Sequence, residues 1–561
     1  MEHAAKPIGQ VRQRRAASGS PVLRRPRRFG AGLGKRTGSL TFLLGWFFIL
    51  VAAQPAGIGT SDTAGRLQVA RSLWTSEPEV HPSNTRGLEG RGGILRAGAG
   101  LGQSLLLLPA DVISATILGR GRDLYDPLRS AYVAYLVFPL LGAVSVGLMA
   151  EVARGLGATT RESRLSACLA AIGSSFLAHT AIHQENSLLF ALDAGMILCA
   201  IRLGCRPSIR VGITAGVLSA WAILTRLPAL ADSVVCFGLA LALSARAGPS
   251  VRAELGKRRG ALVAWGTAIL CGLSLERLYQ IYRFGEIEST YIHVWARAAR
   301  AADPSLAAAF PFNVPLMKGA FDELFSPSFG IWQSEPLLLC FFLLLPAAWA
   351  VVGRVGRAVV VACILLLAGQ IVFYGRFYNW FGGDGWGNRF LATPAQLLSL
   401  LAATWVVKGY LPRSRVGRGV ILTTCVLSSA VGLAAMVFWY ELETKQIYYL
   451  GFGFSQVLLR FANIAALLCS RLVEWGLVVP GVTPRMLTPN LAPFLVSRKV
   501  PTLGSWALAA WIIVAFAGIG LLLWSIRAVP IPRALENGRD VTCAVRQWEC
   551  RRRRRAQATR A

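Results

Sequence analysis

Residues 99–118 read AGLGQSLLLLPADVISATIL, and the fold turns on whether this stretch crosses a membrane. Its length approaches the roughly 20 apolar residues that span a bilayer. It nevertheless opens on Gly100 and Gly102 and carries Pro109 and Asp111 in its interior. If it crosses, every later segment changes sides. If it lies at the surface as a glycine-entered amphiphilic helix, the flanking charges set the order of sides.

Twelve other apolar runs approach spanning length: 38–54, 131–150, 165–181, 186–203, 211–226, 229–245, 260–277, 336–353, 358–374, 390–407, 419–438 and 503–526. With 101–118 uncrossed, one side receives 1–37, 151–164, 202–210, 246–259, 354–357, 408–418 and 527–561. Those segments hold 37 Lys and Arg against seven acids. The other 22 Lys and Arg are spread over much longer loops. Short basic connections belong in the cytoplasm, so both termini are expected inside and 101–118 on the outer leaflet. The run 38–54 follows too long a basic region for a signal peptide and is read as an uncleaved first span. Three large outer loops follow, at about 55–130, 278–335 and 441–502.

Composition agrees. The 561 residues are 54% apolar, the mean hydropathy is +0.50 and 16% are charged, against about a quarter in soluble domains. An ordinary soluble enzyme and a disordered or fibrous chain are excluded. The net charge of +31 is read as an orientation signal and an attraction to anionic membrane lipids rather than nucleic-acid binding. Most of the 11 cysteines sit inside apolar runs, where Cys behaves as a small hydrophobe, and no CxxC occurs. The expected organisation is a disordered basic tail at 1–37, a transmembrane module at 38–438, an outer loop and last helix at 439–526, and a basic cytoplasmic tail at 527–561.

Chemistry-bearing residues fall at the outer ends of spans. Asp62 follows the first span in Gly-Thr-Ser-Asp-Thr-Ala-Gly-Arg, 59–66. A carboxylate there is placed to take a proton from a hydroxyl, while Ser61 or Asp62 also suits a helix N-cap. His179 and His183 stand four apart, with Glu185 next, which leaves a divalent metal open beside a plain polar surface. Arg226 ends a span just before Pro228; it either snorkels or holds a phosphate. The strongest local feature is Tyr378–Leu391, YNWFGGDGWGNRFL. Aromatic belts account for Trp380 and Trp386, but not for four glycines in six residues together with Asp384 and Arg389.

In this order the motifs resemble the GT-C membrane glycosyltransferases, the group of protein O-mannosyltransferases and bacterial aminoarabinose transferases. The series comprises the acid after the first span (Asp62), the Gly/Pro juxtamembrane segment (Gly98–Pro109), Ala222–Pro228, Leu324–Ile331 and Trp380–Leu391. It departs from the group at Asn388, where proline is common, and in lacking the juxtamembrane Lys-Pro-Pro. Loop 441–502 matches nothing in it. The resemblance implies an all-α polytopic fold of about 12 transmembrane helices with outer-face juxtamembrane helices in the first loop. It also implies inverting transfer of a sugar from a polyprenyl-phosphate donor, at the outer face of a bacterial inner (plasma) membrane, to a glycan, lipid or protein acceptor. Asp62 becomes the base and Arg226 and Arg389 the phosphate ligands. Asp384, Trp380, Trp386 and Glu185 become substrate contacts. The rival from another class is a transporter or flippase for a lipid-linked or amphiphilic solute. It needs partnered ionisable residues within the spans, and Asp193 and Asp232 each stand alone in the sequence.

Overall fold

The structure is a computed structural model that describes residues 33–55, 57–58, 60–80, 87–119, 127–206, 208–244, 251–383, 385–439, 441–469, 487 and 489–527. Asp384 and most of the two basic tails lie outside these residues.

Backbone polar groups in hydrocarbon must be satisfied within their own segment, so a chain this apolar folds as helices. In chain order they begin with α1 (Leu33–Ala52), α2 (Ser61–Ser72) and, after a two-residue hairpin of β1 (Leu88–Glu89) and β2 (Leu95–Arg96), α3 (Leu101–Leu118). Then come α4 (Pro127–Gly155), α5 (Thr160–Ile172), α6 (Phe176–Ala181), α7 (Asn186–Cys205), α8 (Ile209–Thr225), α9 (Ala229–Ser244) and α10 (Val251–Phe284). Short helices α11 (Tyr291–Ala302), α12 (Leu316–Phe325) and α13 (Ile331–Ser334) lead to α14 (Leu337–Val351), α15 (Arg354–Tyr374), α16 (Ala392–Val407) and α17 (Arg415–Ala434). The last are α18 (Glu441–Leu450), α19 (Gln456–Leu468), α20 (Ala492–Lys499) and α21 (Pro501–Arg527).

Among the described residues seven helices are long and apolar enough to cross a membrane: α3, α4, α7, α10, α15, α17 and α21. Five of the other expected spans are shorter apolar helices, in α1, α8, α9, α14 and α16. The polytopic, all-helical expectation therefore holds. The run 165–181 differs: it breaks at Gly173-Ser174-Ser175 into α5 and α6. There Glu335, just before α14, accepts from the Ser175 backbone N–H at 2.9 Å, so the side chain of another segment satisfies the interrupted helix.

Length and composition alone count α3 as a span, but its contacts keep it with the ends of other helices. A Cβ on Gly100 would lie 2.2 Å from the Thr225 carbonyl oxygen, and one on Gly102 would lie 2.1 Å from Thr225 Oγ1. Nine residues beyond Gly102, Asp111 pairs with Arg129 at 2.5 Å and accepts from Trp74 Nε1 at 2.9 Å. Thr225 ends α8, Arg129 is the third residue of α4, and Trp74 lies just beyond α2. A helix diving through the bundle would not touch three such ends along its length. These contacts favour the juxtamembrane reading of 101–118.

Small residues let the long helices approach closely, which matters where lipid supplies no hydrophobic drive between helices. On α8, a Cβ on Gly212 would meet the Ala261 carbonyl oxygen of α10 at 2.2 Å, and Gly216 meets Ala268 in the same way. Gly45 of α1 and Gly518 of α21 interlock similarly, tying the last helix to the first. Asp193 and Asp232 are not solitary. Gln370 of α15 donates to Asp232 at 2.8 Å, and the two carboxyl groups, on α7 and α9, lie close enough to feel each other's charge. Sequence periodicity carries no record of that lateral neighbourhood.

Candidate active site

The site is built where α2, α3, α8 and two loops meet. Thr60, rather than Ser61 or Asp62, caps α2: its Oγ1 accepts from Thr63 N at 3.1 Å. Asp62 thus lies in the first turn, where a carboxylate suits the helix dipole, and its side chain is 39% exposed. Arg389 Nη1 meets Asp62 Oδ2 at 2.9 Å. One turn along α2, Arg66 is ion-paired with Glu185, whose other oxygen is taken by Arg226. Three guanidinium groups and two carboxylates therefore share one site. The i, i+4 spacing of Asp62 and Arg66 places Arg66 on the face of Asp62. That was the available signal for Arg66, which the motif reading passed over.

Each member is held by recognisable local chemistry. Gly100 and Gly102 allow α3 to seat against Thr225, the residue before Arg226. Trp221 Nε1 reinforces the seat by donating to the Gly102 carbonyl at 2.8 Å. The Arg226 guanidinium lies 5.0 Å from the Phe390 ring centre and 5.5 Å from that of Tyr374. Those two rings stack at 3.9 Å, forming an aromatic wall behind the cation. Arg389 leaves a loop in which Gly382 (φ +89) and Gly383 (φ +71) adopt left-handed backbone. A Cβ on Gly382 would lie 2.3 Å from Arg389 Cγ, so glycine there makes room for the arginine.

Electrostatics bind the group together. Burial pushes the Glu185 carboxyl up, but Arg226, Arg66 and Arg389 reverse this and hold it below its usual range. Burial alone would weaken the charge on Arg389; Asp62 and Glu185 more than restore it. Tyr291, the first residue of α11, lies within reach of the charges of Glu185, Arg226, Arg66 and Arg389. The sequence reading did not single it out. Arg389 Nε and Arg66 Nε are buried and have no hydrogen-bond partner among the described residues.

The histidines do not form a metal pair. Helix α6 ends at Ala181, and His183 has left-handed backbone (φ 64), so the two rings do not share a helix face. His179 Nδ1 engages Gln184 at 2.9 Å, and His183 Nε2 engages Gln54. The His183 carbonyl accepts from Thr63 Oγ1 at 2.6 Å and Gln103 Nε2 at 3.1 Å, joining the start of α2 to α3. Burial lowers the His183 ring to about 3, which keeps it neutral. Among the described residues no three His, Cys, Asp or Glu side chains gather as a ligand set. Asp62 and Glu185 are already matched to arginines. Among the described residues the donor set does not fit a divalent ion.

The remaining expected contacts are dispersed. Trp386 is fully buried among Ala178, Val431 and Ala435, with the Arg460 guanidinium 4.9 Å from its ring centre. Trp380 packs on Phe381 at 5.4 Å, beside Phe329 and Ile447. Asp384 lies outside the described residues.

No family model matches the chain, and no curated protein matches its sequence. Among solved structures it is similar to ArnT from Cupriavidus metallidurans bound to undecaprenyl phosphate, with 13% identity and a TM-score of 0.40 over 89% of this chain and 78% of the other. It is also similar to the archaeal oligosaccharyltransferase AglB from Archaeoglobus fulgidus, in complex with an inhibitory peptide and a dolichol-phosphate. There the identity is 12% and the TM-score 0.38, over 72% of this chain and 56% of the other. Scores at this level transfer no residue role.

Proposed function

We propose that the chain is a membrane glycosyltransferase that moves a sugar from a polyprenyl-phosphate donor to a hydroxyl acceptor, with inversion, at the face carrying α2 and α3. The observation that carries this reading is the convergence of Asp62, Arg389, Glu185, Arg226 and Arg66. They come from segments far apart in sequence; Asp62, Arg226 and Arg389 fall in the ordered motif series, while Glu185 and Arg66 fall outside it. In this reaction the Asp62 carboxylate takes the proton of the acceptor hydroxyl. The acceptor oxygen attacks the anomeric carbon from the face opposite the phosphate, and the anomeric C–O bond breaks with its electron pair on the phosphate. Arg389, Arg226 and Arg66 meet the charge that develops there. A phosphate that takes Arg389 also releases Asp62 from its ion pair, so donor binding and base activation are linked.

The place of the lipid tail is supported by an apolar groove of about 560 Å³ beside the site, lined by Leu105, Trp221, Leu224, Thr267, Cys271 and Leu275. Trp221 and Leu224 lie within the six residues ending at Arg226, so a phosphate at the arginines leaves its chain at the groove mouth. The deciding experiment incubates purified protein in detergent with a panel of polyprenyl-phosphate sugars and follows release of polyprenyl phosphate. Release that is lost in Thr267→Trp for long-chain donors but kept for short ones supports both site and groove. No release from any donor rejects the reading.

One observation favours a second reading. Asp193, Asp232 and Gln370 form a buried polar group between α7, α9 and α15, and intramembrane acids often mark a transport path. A transporter needs two sealed compartments, so turnover in detergent separates the two readings.

A further inference from the structure

The second half of the chain contributes an arm that the motif series does not include. Helices α18 and α19 form a hairpin after α17, and its second helix opens with Gln456, which is buried. Gln456 Oε1 accepts from the Gly387 N–H at 2.8 Å, and Gln456 Nε2 donates to the Gly385 carbonyl at 3.0 Å. One amide thus holds the backbone on both sides of Trp386, as a neighbouring strand would. Arg460, one turn further along α19, covers the Trp386 ring and is itself locked. It pairs with Glu443, whose oxygens are shared with Asn463, and it donates to the carbonyls of Ala434, Ala435 and Phe438. Every one of these groups is buried.

The clamped loop is the one that delivers Arg389. Asn388 Oδ1 accepts from the N–H groups of Phe390 and Leu391 at 3.1 and 3.3 Å, which fixes the turn into α16. Gly387 has φ +61 and lies against Ser334, where a Cβ would approach Ser334 Oγ to 2.3 Å. A glycine-rich loop has many backbone states open to it. A single pair of buried hydrogen bonds from a rigid helix removes most of them.

We infer that Gln456 is a positioning residue for sugar transfer: by gripping Gly385 and Gly387 it holds the loop so that Arg389 faces Asp62 and the donor phosphate. The inference rests on the transferase reading above. It makes the α18–α19 arm part of the catalytic unit, so a module ending at 438 is incomplete.

The test uses the full-length protein with Gln456→Met, which removes both hydrogen bonds, and Gln456→Glu, which keeps only the acceptor for Gly387. Three quantities are read: the donor KM, the pH profile of kcat/KM, and amide hydrogen exchange over 385–391. A loosened Arg389 weakens phosphate binding, so the donor KM rises about tenfold, equivalent to 1.4 kcal/mol. It also stops favouring the charged form of Asp62, so the acid limb of the profile moves to higher pH. Exchange over 385–391 speeds up while that of α19 does not. If Gln456→Met does not fold, Gln456→Glu carries the same three readouts, with a smaller shift in each. A folded variant with reduced kcat but unchanged donor KM, acid limb and exchange has a merely structural residue at 456, and the inference fails. A wild-type protein that releases no polyprenyl phosphate overturns the transferase reading, and this inference with it. Failure of the inference alone appears as an active wild type with an unmoved variant.

Discussion

Arg389 Nη1 lies 2.9 Å from Asp62 Oδ2, although 327 residues separate the two in the chain. In the proposed reaction the same arginine that would meet the donor phosphate therefore holds the base when no donor is bound. Asp62→Asn keeps the hydrogen-bonding shape of this pair but cannot take a proton. Its expected effect is a loss of transfer on the order of 10²–10⁴-fold, the usual worth of a positioned base, with a melting temperature near that of the wild type. The rate of polyprenyl phosphate release at saturating donor checks it. Transfer at the wild-type rate by a folded Asp62→Asn protein removes Asp62 from the mechanism.

Glu185 stands between Arg66 and Arg226, all three largely buried. Removing one partner of a buried ion pair leaves an uncompensated charge, at a cost of about 3–5 kcal/mol. Glu185→Gln leaves two such charges facing a neutral amide. A large drop in thermal stability in detergent is therefore expected. Excess polyprenyl phosphate, added as a substitute anion, should return part of it. The paired melting curves decide; a drop that the anion does not reverse shows that the arginines are not open to phosphate.

How much of this was legible in the sequence depends on what kind of contact is meant. Asp62, Glu185, Arg226 and Arg389 could be found because each is a polar residue at the end of an apolar run. Trp386 could be seen but not placed, since its partner Arg460, on α19, lies in the stretch 441–502 that no motif of the series marks. Thr60, Ser61 and Asp62 are three adjacent capping residue types, and only the backbone shows that Thr60 is the one used. The hydrogen bond from Gln370 to Asp232 is lateral contact between helices, which the period of either helix does not encode. The break between α5 and α6, by contrast, is written in Gly173-Ser174-Ser175, though apolar residues on both sides give it the look of one span.

Glu323 of α12 is fully buried, and neither of its carboxyl oxygens has a partner among the described residues. Burial pushes it up to about 9, from an ordinary value of 4.5. The folded protein thus keeps the proton through neutral pH, while the unfolded chain gives it up above 4.5. Because the folded state binds the extra proton in that window, stability falls as pH rises from about 4.5 to about 9. Glu323→Gln removes this slope. Melting temperatures of the two proteins should coincide near pH 5 and separate with rising pH, the variant being the more stable. Parallel curves would mean that Glu323 is ionised in the folded protein.

Gly382 tests whether the loop's backbone serves Arg389 or merely turns the chain. Its φ of +89 disfavours any L side chain, and a Cβ there meets Arg389 Cγ at 2.3 Å. Gly409 also has a positive φ (+76), but a Cβ there meets nothing within 4 Å. Alanine at either position carries a backbone strain of about 1–2 kcal/mol. Only alanine at 382 also displaces the arginine. Gly382→Ala is therefore expected to raise the donor KM and lower kcat about as far as Arg389→Ala does. Gly409→Ala should lose a similar amount of thermal stability and keep its turnover. Donor titrations and melting curves on the two variants, side by side, separate strain from displacement. Equal loss of turnover in both would trace the loss to backbone strain alone and not to the space for Arg389.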